Sequence, residues 1–366
     1  MRKSLLSASA LTATVFGATL TAVSLSGSPA LAGPITAGDP ALAPYTLQYG
    51  DFSIVSLQFA DTGTGTSNYF VASSPGQIRS DIVVGTGAGG SFGNGTPGGA
   101  MTLAGADAPY QTETGAGASY FATGNATSAP HPGPTGQFSQ DTGNSWNILV
   151  SSLDTALGGQ TPVFYFNLNE TGTSDQLSGT DLLIWVKASL VNPSGGTDAT
   201  FYLAGNPLDP NGAGYGKAQS ILNGAPDATA SYPDVPPGST YDPTDPRWTY
   251  VHGDICINGS TFLHYGSCVG GDPSGAQSVN QDLGANQAAF AGYSLSLDSL
   301  LLNPAYAGDT LQLDWEMADQ DNGYEQLFIL AGGVPTQIPE PLTISLFGVG
   351  IVGAAALVRR NKKAKV

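Results

Sequence analysis

The longest apolar stretches inside the chain lie near its middle and have the length of β-strands. Residues 162–169 read PVFYFNLN and residues 181–190 read DLLIWVKASL, both rich in β-branched and aromatic side chains. Short apolar runs bounded by turn residues are typical of buried strands. A polar segment that begins at Glu170 separates the two runs. The pattern predicts two strands that pair as a hairpin at the centre of the fold.

Shorter segments of the same character recur along the chain. They predict strands at residues 47–60, 200–203, 248–257, 261–265, 288–297, 310–316 and 326–330. A turn at Asp61 is expected to close the first of them, and helical spacing of apolar residues predicts one short helix at 144–157. The whole pattern predicts a mostly β fold, an antiparallel β-sandwich or jelly-roll-like domain with long Gly/Pro-rich loops and one short helix.

Two long segments lack the large apolar residues that a core requires. Residues 85–134 consist mainly of Gly, Ala, Thr, Ser and Pro, and residues 206–247 are rich in Pro, Gly and Asp. Both are predicted to be surface loops, and the first is expected to be partly disordered.

The N-terminus carries an apolar segment of a different kind. Arg2 and Lys3 precede a long uncharged run, and the small residues Ala30 and Ala32 follow it. This order is that of a secretory signal peptide, residues 1–32, cleaved after its last residue. The alternative is that the run remains as a permanent membrane helix.

The C-terminal segment has three parts. They are the tripeptide Pro339, Glu340 and Pro341, the apolar run 342–358, and a basic tail that begins with Arg359 and Arg360. The run has 17 residues, which is near the lower limit for a helix that crosses a bilayer. Five of the 11 basic residues of the chain follow it, so the positive-inside rule places this end in the cytoplasm and the preceding domain outside.

A secretory signal combined with a PEP tripeptide, an apolar segment and an Arg-rich tail resembles the PEP-CTERM sorting signal of Gram-negative exopolysaccharide-producing bacteria. The resemblance implies processing near the tripeptide by an integral-membrane exosortase, through a transient inner-membrane intermediate, and delivery to the cell surface or extracellular matrix. It divides the rest of the chain into a secreted mostly β domain, residues 33–336, and a sorting signal, residues 337–366. An ordinary tail anchor with a fortuitous PEP tripeptide is the alternative.

The central part of the chain also resembles a recurrent group of PEP-CTERM proteins. The matching segments are NSWNILVSSLDTALGG from residue 144, FYFNLNETGTSDQLSGTDLLIWVKASL from residue 164, residues 251–268, and NGYEQLFI from residue 322. This resemblance implies a shared folded unit and a shared destination, but no established reaction.

The net charge of the predicted secreted domain limits the classes of molecule that it can bind. Without the signal peptide and the sorting signal, 4 basic residues stand against 27 acidic ones, a balance of −23. Nucleic acid is excluded as a partner because neutralising its phosphates requires clustered Lys and Arg. An anionic polysaccharide would also be repelled unless a divalent cation bridged the two molecules. Charged residues are only 11% of the chain, against roughly 25% in soluble domains, and this composition is typical of a secreted, turn-rich β protein.

The two cysteines of the chain are Cys256 and Cys268. In an exported protein they are predicted to form one disulfide that closes a short hairpin. A metal site that adds His252 and His264 to the two thiols is the alternative, but this spacing is not a recognised zinc pattern.

Three letter patterns resemble catalytic motifs without the context that each requires. The GxGxxG at residues 85–90 follows an apolar run, yet no helix is predicted after it to hold a dinucleotide. The GxSxG at residues 89–93 matches a nucleophile elbow only by letter, in a segment dense in Gly. Asp61 and Asp141 both begin DTG, as in an aspartic-protease dyad, but no apolar strand precedes the second. We therefore predict no catalytic residue and expect that the chain is not an enzyme.

An acidic segment near the end of the domain is a candidate Ca²⁺ site. Its carboxylates are those of Asp314, Glu316, Asp319, Asp321 and Glu325. Hard oxygen ligands of this kind suit Ca²⁺, although the spacing does not fit an EF-hand. A solvated acidic turn between two strands is the alternative.

Aromatic residues beside a Pro- and Asp-rich loop are candidates for stacking on sugars. Trp248 and Tyr250 hold such positions, whereas Trp185 lies within an apolar strand and is expected to be buried. Together these features predict an exported structural or adhesive protein of the cell surface or matrix, associated with exopolysaccharide or biofilm. Its expected partners are signal peptidase, exosortase and exopolysaccharide. A secreted carbohydrate-binding module or a surface hydrolase is the alternative function.

Overall fold

Strands predominate in the computed structural model of the chain, which confirms the prediction of a mostly β fold. The described residues are 35–64, 69–87, 94, 102–112, 120–123, 144–170, 181–203, 249–265, 267–318, 320 and 325–332. All of them lie in one compact unit, Leu31–Val366.

The strands of the described ranges are short apart from two. They are β1 (Thr46–Tyr49), β2 (Phe52–Ser56), β3 (Ile82–Thr86), β4 (Tyr110–Gln111), β5 (Tyr120–Ala122), β6 (Trp146–Leu149), β7 (Pro162–Phe166), β8 (Asp181–Val191), β9 (Thr197–Leu203), β10 (Thr249–His252), β11 (Asp254–Asn258), β12 (Thr261–Tyr265), β13 (Gln277–Asn280), β14 (Phe290–Tyr293), β15 (Thr310–Ala318) and β16 (Leu327–Ala331). The α-helices are α1 (Leu57–Thr64), α2 (Val150–Leu157) and α3 (Leu295–Leu301). Short 3-10 helices span Pro40–Tyr45, Ile78–Ser80, Gly284–Asn286 and Pro304–Tyr306.

The strands form three open sheets. The first has the order β1-β2-β14-β7-β16-β3-β4, with β3 and β4 parallel and the other neighbours antiparallel. The second is built on the two long strands, because β15 pairs with β8 from Thr310 to Ala318. Strands β9 and β10 share the free edge of β8, and β5 and β6 share that of β15. The third is the small sheet β12-β11-β13.

The main core lies between the inner faces of the first and second sheets. The Phe166 ring on β7 meets the Trp315 indole on β15 edge to face, with ring centroids 6.0 Å apart. A small cavity of about 60 Å³ lies in this interior. Its lining is almost wholly apolar and consists of Phe52, Ile54, Phe164, Phe166, Ile184, Val186, Leu203, Thr249, Val251, Phe290, Gly292, Trp315 and Leu327.

The opposite face of the first sheet is also buried. Tyr165 and Phe328 stack there with ring centroids 5.7 Å apart, and both side chains are fully buried. This double burial explains why β7 is apolar at every position, since such a strand needs no solvent face.

The predicted hairpin of residues 162–169 and 181–190 is wrong, although both strands exist. Strand β7 lies between β14 and β16 in the first sheet, and β8 belongs to the second. The apolar content of a strand indicates that it is buried but does not identify its neighbour. Here β8 pairs with β15 over nine residue pairs instead of with β7.

The prediction of a single short helix is also wrong, because residues 144–157 contain a strand followed by a helix. Trp146 and Ile148 alternate into the core on β6, and the helical turn begins only at Val150. Helix α2 ends at Gly158, whose φ of +64° favours glycine. The unpredicted α3 begins after Ser294, whose hydroxyl accepts from the Leu297 backbone N–H.

Two further boundaries differ from prediction. Residues 47–60 contain the hairpin β1–β2 and the start of α1, so Asp61 lies in a helix rather than a turn and accepts from the Tyr69 backbone N–H at 3.0 Å. The segment 85–134 adds β4, β5 and the end of β3 to the sheets. Phe121 of this segment is fully buried, and its ring centroid lies 4.8 Å from that of Trp315. One aromatic residue is enough to anchor a short strand in the core when the neighbouring strand supplies the other apolar contacts.

The predicted strand at 288–297 is right only for β14, because α3 begins at Leu295, and the predicted strand at 248–257 is divided into β10 and β11, which belong to different sheets. The remaining predicted strands are present within the described ranges. Residues 197–203, 310–318 and 327–331 form β9, β15 and β16, and the predicted hairpin near the cysteines forms β11 and β12. Trp185 is buried, as expected. The predicted loop at 206–247 lies outside the described residues.

Candidate functional site

A cluster of buried polar side chains lies where β7 ends and β16 begins. Phe166 pairs with Leu327 at the last antiparallel step of these strands. The chain that leaves β7 through residues 167–170 therefore lies beside the chain that enters β16 through Glu325 and Gln326. The register thus brings two segments of distant sequence together.

Hydrogen bonds to the backbone hold the two segments in place. The Gln326 backbone N–H donates to Asn167 Oδ1, and the Asn167 N–H donates to the Gln326 carbonyl at 3.2 Å. Thr112 Oγ1 donates to the Glu325 carbonyl at 2.8 Å, and Gln326 Nε2 donates to the Ala285 carbonyl at 3.1 Å. Because these side chains are buried, the cluster has little freedom to move.

At the centre of the cluster is a pair of carboxyl groups. Glu170 and Glu325 are both 0% exposed, and their carboxyl groups lie within hydrogen-bonding reach of each other. Gln320 Nε2 donates to Glu325 Oε2 at 3.0 Å. We call Glu170, Gln320 and Glu325 the carboxyl cluster.

Burial dominates the electrostatics of the carboxyl cluster. It raises the pKa of Glu325 to about 7, and hydrogen bonds that favour the ionised form, the one with Glu170 first among them, limit the rise. A third carboxylate lies close by, because Asp282 accepts from the backbone N–H groups of Gly284 and Glu170. Burial raises the pKa of Asp282 to about 6.

No cationic side chain of the described ranges neutralises this site. Lys187 Nζ lies 2.7 Å from Asp314 Oδ2, and Arg79 is exposed on a 3-10 helix. Two ionised carboxylates repel each other strongly in a buried environment. The carboxyl cluster is therefore suited to hold either a shared proton or a bound cation.

Of these residues, only Glu325 was predicted to be a ligand. Glu170 was expected to begin a polar segment between two strands, and no role was predicted for Gln320. A signal was present, because the NLNE of residues 167–170 and the YEQL of residues 324–327 both lie in segments that carry the family resemblance. Only the register of β7 with β16 shows that they meet.

The residues of the predicted Ca²⁺ segment lie in different surroundings. Asp314 bonds Lys187 and accepts from Ser145 Oγ at 2.6 Å, and Glu316 is buried two residues further along the same strand face. Asp319 and Asp321 lie outside the described residues. Binding of Ca²⁺ by this segment as a whole stays a prediction.

The predicted disulfide joins Cys256 and Cys268. Cys256 is buried on β11, the central strand of the third sheet. Within the described ranges, Cys256, Cys268 and Asp272 are the one group of three or more His, Cys, Asp or Glu side chains with the spacing of metal ligands. Its sulfurs form the disulfide, so the thiolates that a metal would need are absent.

Several predicted positions fall outside the described residues. They are Trp248, His131 and Asp141, the side chains of Tyr250, His252 and His264, the signal-peptide residues Ala30 and Ala32, and the sorting residues Pro339, Glu340, Pro341, Arg359 and Arg360. None of the helices in the described part of the chain has the length and apolar character needed to cross a bilayer.

An open polar cleft of about 430 Å³ lies beside β6. Its lining includes Asp107, Tyr110, Asn144, Ser145 and Asn147. The Tyr110 hydroxyl donates to the Asn144 carbonyl at 3.0 Å, and Asp107 Oδ2 accepts from Asn147 Nδ2 at 2.8 Å. An aromatic ring can stack on the apolar face of a sugar, while neighbouring carboxylate and amide groups bond the hydroxyls of the sugar.

Comparison with known proteins places the chain among relatives without an assigned activity. No curated protein matches it, and no solved structure matches it. The chain belongs to the family described as Domain of unknown function (DUF8239), whose model matches residues 39–316.

Proposed function

We propose that the protein is exported and acts at the cell surface or in the extracellular matrix of a Gram-negative bacterium as a non-enzymatic structural or adhesive component. The observation that carries the proposal is the order of parts along the chain. A secretory signal precedes an acidic β domain, and a PEP tripeptide, an apolar run and an Arg-rich tail follow it. That order resembles a PEP-CTERM substrate of exosortase.

The fold supports a role in display. We infer that the first two sheets form an antiparallel β-sandwich, because Phe166 and Trp315 meet between their inner faces. A disulfide closes the small third sheet, which suits an oxidising exterior. The carboxyl cluster also supports a structural role, since both of its carboxyl groups are fully buried and out of reach of a substrate.

Recovery of the protein from the native host tests the proposal. Intact mass and terminal sequencing of the protein from medium, cells and matrix should show a chain that begins near Gly33 and lacks everything after the Pro339-Glu340-Pro341 region. Replacing this tripeptide with three Ala residues should retain the full C-terminus in the inner membrane. A wild-type chain that keeps Val366 and stays with the inner membrane would instead support an ordinary anchor.

The polar cleft beside β6 favours binding of a neutral or cation-bridged polysaccharide as a second candidate function. Tyr110→Ala removes the ring and hydroxyl of the cleft, so it should weaken retention on the host's exopolysaccharide at least tenfold. Tyr306→Ala is a control, because Tyr306 lies in the 3-10 helix Pro304–Tyr306, outside the cleft. Equal retention of both variants and the wild type would exclude the cleft. The surface hydrolase stays an alternative without a described catalytic group to support it.

A further inference from the structure

We propose that the carboxyl cluster binds one divalent cation of the hard, oxygen-preferring class, with Ca²⁺ as the best match. Glu170, Glu325 and the side-chain carbonyl of Gln320 would be its ligands. The proposal concerns the stability of the domain and does not depend on where the protein is sorted.

The carboxyl cluster has a surplus of buried acceptor oxygens. Gln320 Nε2 donates to Glu325 Oε2, whereas Glu325 Oε1 and Gln320 Oε1 are buried and have no hydrogen-bond partner among the described residues. Gln320 is 2% exposed and Glu325 is 0% exposed. Buried polar atoms in native proteins almost always have a partner, and for acceptors that lack a donor the natural partner is a cation.

The carboxyl cluster also lacks a counter-charge within the described ranges. Two fully buried carboxyl groups in contact cannot both ionise without a counter-charge. The cationic side chains of the described ranges do not supply it, because Lys187 bonds Asp314 and Arg79 is exposed. A divalent cation would supply both charges at once.

The ligand atoms of the carboxyl cluster suit Ca²⁺ better than other cations. Carboxylate and amide oxygens are ligands of Ca²⁺, which accepts six to eight oxygens in a flexible arrangement. Asp282 does not come within ligand distance of both Glu170 and Glu325, so water molecules would complete the set. Mg²⁺ is a poorer match because it requires near-ideal octahedral geometry and retains several waters.

A shared proton is the competing explanation. It would join one oxygen of Glu170 to one of Glu325 and remove one charge. It would not provide a partner for the Gln320 carbonyl, which is why the cation explains more of the observations.

Thermal unfolding of the full chain tests the proposal. The protein is stripped with a chelator, and Ca²⁺ is added to about 100 times the dissociation constant found by calorimetry. The wild type should bind one Ca²⁺ per chain, and its Tm should rise by about 5 °C. Glu170→Gln and Glu325→Gln should each lose at least 90% of this rise, because each removes one ligand charge with little change in shape.

Asp298→Asn is the matched control, since Asp298 is also a buried carboxyl group but lies on α3. It should keep the full Ca²⁺-dependent rise. Asp314→Asn should also keep it if the cation lies at the carboxyl cluster, and loss of the rise only in Asp314→Asn would overturn the assignment to Glu170. A wild-type Tm that is the same in chelator and in Ca²⁺, with no heat of binding, would overturn the whole proposal and favour the shared proton. The wild-type measurement decides this even if a variant fails to fold.

Discussion

The backbone of Gly85 lies directly against the indole ring of Trp315, so that a Cβ atom at position 85 would stand 2.4 Å from Trp315 Cζ3. Trp315 is fully buried and contacts Phe121 and Phe166 on its other sides. Trp315 also lines the small interior cavity, but these contacts hold the ring against position 85, so the absence of a side chain there is a packing requirement.

Gly85→Ala should lower the free energy of unfolding by about 1–3 kcal/mol, because the added methyl group overpacks the core. Gly76→Ala is the matched control, since a Cβ there would meet nothing within 4 Å. Urea unfolding followed by Trp fluorescence measures both. Equal stabilities of the two variants would show that the Trp315 ring can shift at little cost.

Gly85 also shows why part of the site could not be predicted. In the sequence it begins a GxGxxG pattern that resembles a nucleotide-binding loop, yet its role depends on Trp315, 230 residues later. The same is true of Glu170 and Glu325, which meet only through the register of β7 with β16. Periodicity reports burial within a segment, whereas a contact between distant segments depends on the order of strands.

The parts of the fold that were predictable depend on local chemistry. The apolar run of β8 and the β-branched and aromatic residues of β7 indicate strands whatever their neighbours are. The cysteine spacing likewise predicts a closed hairpin. The boundary between β6 and α2 was missed because Trp146, Leu149 and Val150 also fit helical spacing, and only pairing of β6 with β15 selects a strand for the first half.

Lys187→Met should destabilise the protein by about 3–5 kcal/mol, because it leaves the Asp314 carboxylate buried with only Ser145 as a bonded neighbour among the described residues. The Lys187→Met/Asp314→Leu double variant should recover most of this loss, since it removes the uncompensated charge. The two single variants and the double variant form a cycle that can be measured by urea unfolding.

Arg79→Met is the control for this cycle. Arg79 is exposed, so its loss should change stability by less than about 0.5 kcal/mol. A double variant as unstable as Lys187→Met alone would show that Lys187 acts through packing of its methylene chain rather than through its charge.

Reduction of the Cys256–Cys268 disulfide should lower the free energy of unfolding by about 2–3 kcal/mol, the loop-entropy value for a closure of this length. The Cys256→Ser/Cys268→Ser variant should show the same loss in the absence of reductant and no further change when reductant is added. A variant that remains sensitive to reductant would show that the reagent acts elsewhere.

Asp298→Asn should stabilise the protein at neutral and alkaline pH but not in acid. Both Asp298 carboxyl oxygens are buried without a hydrogen-bond partner among the described residues, and burial raises the pKa of this group to about 7. In the unfolded chain the pKa of Asp is about 3.9. The folded state therefore holds the proton more tightly, so the contribution of Asp298 to stability is largest below about pH 4 and is lost as the pH rises through 7.

The expected difference in stability between Asp298→Asn and the wild type follows from the direction of this pKa shift. At pH 8 the variant should be more stable by up to about 4 kcal/mol, the free energy equivalent of a shift of about three pH units. At pH 4 the two proteins should unfold at nearly the same urea concentration. Because Asp81 titrates in the same range, the comparison must be between the two proteins at each pH rather than along one curve. A difference that stays constant from pH 4 to pH 8 would mean that Asp298 reaches water when it ionises, and that its burial in α3 costs nothing.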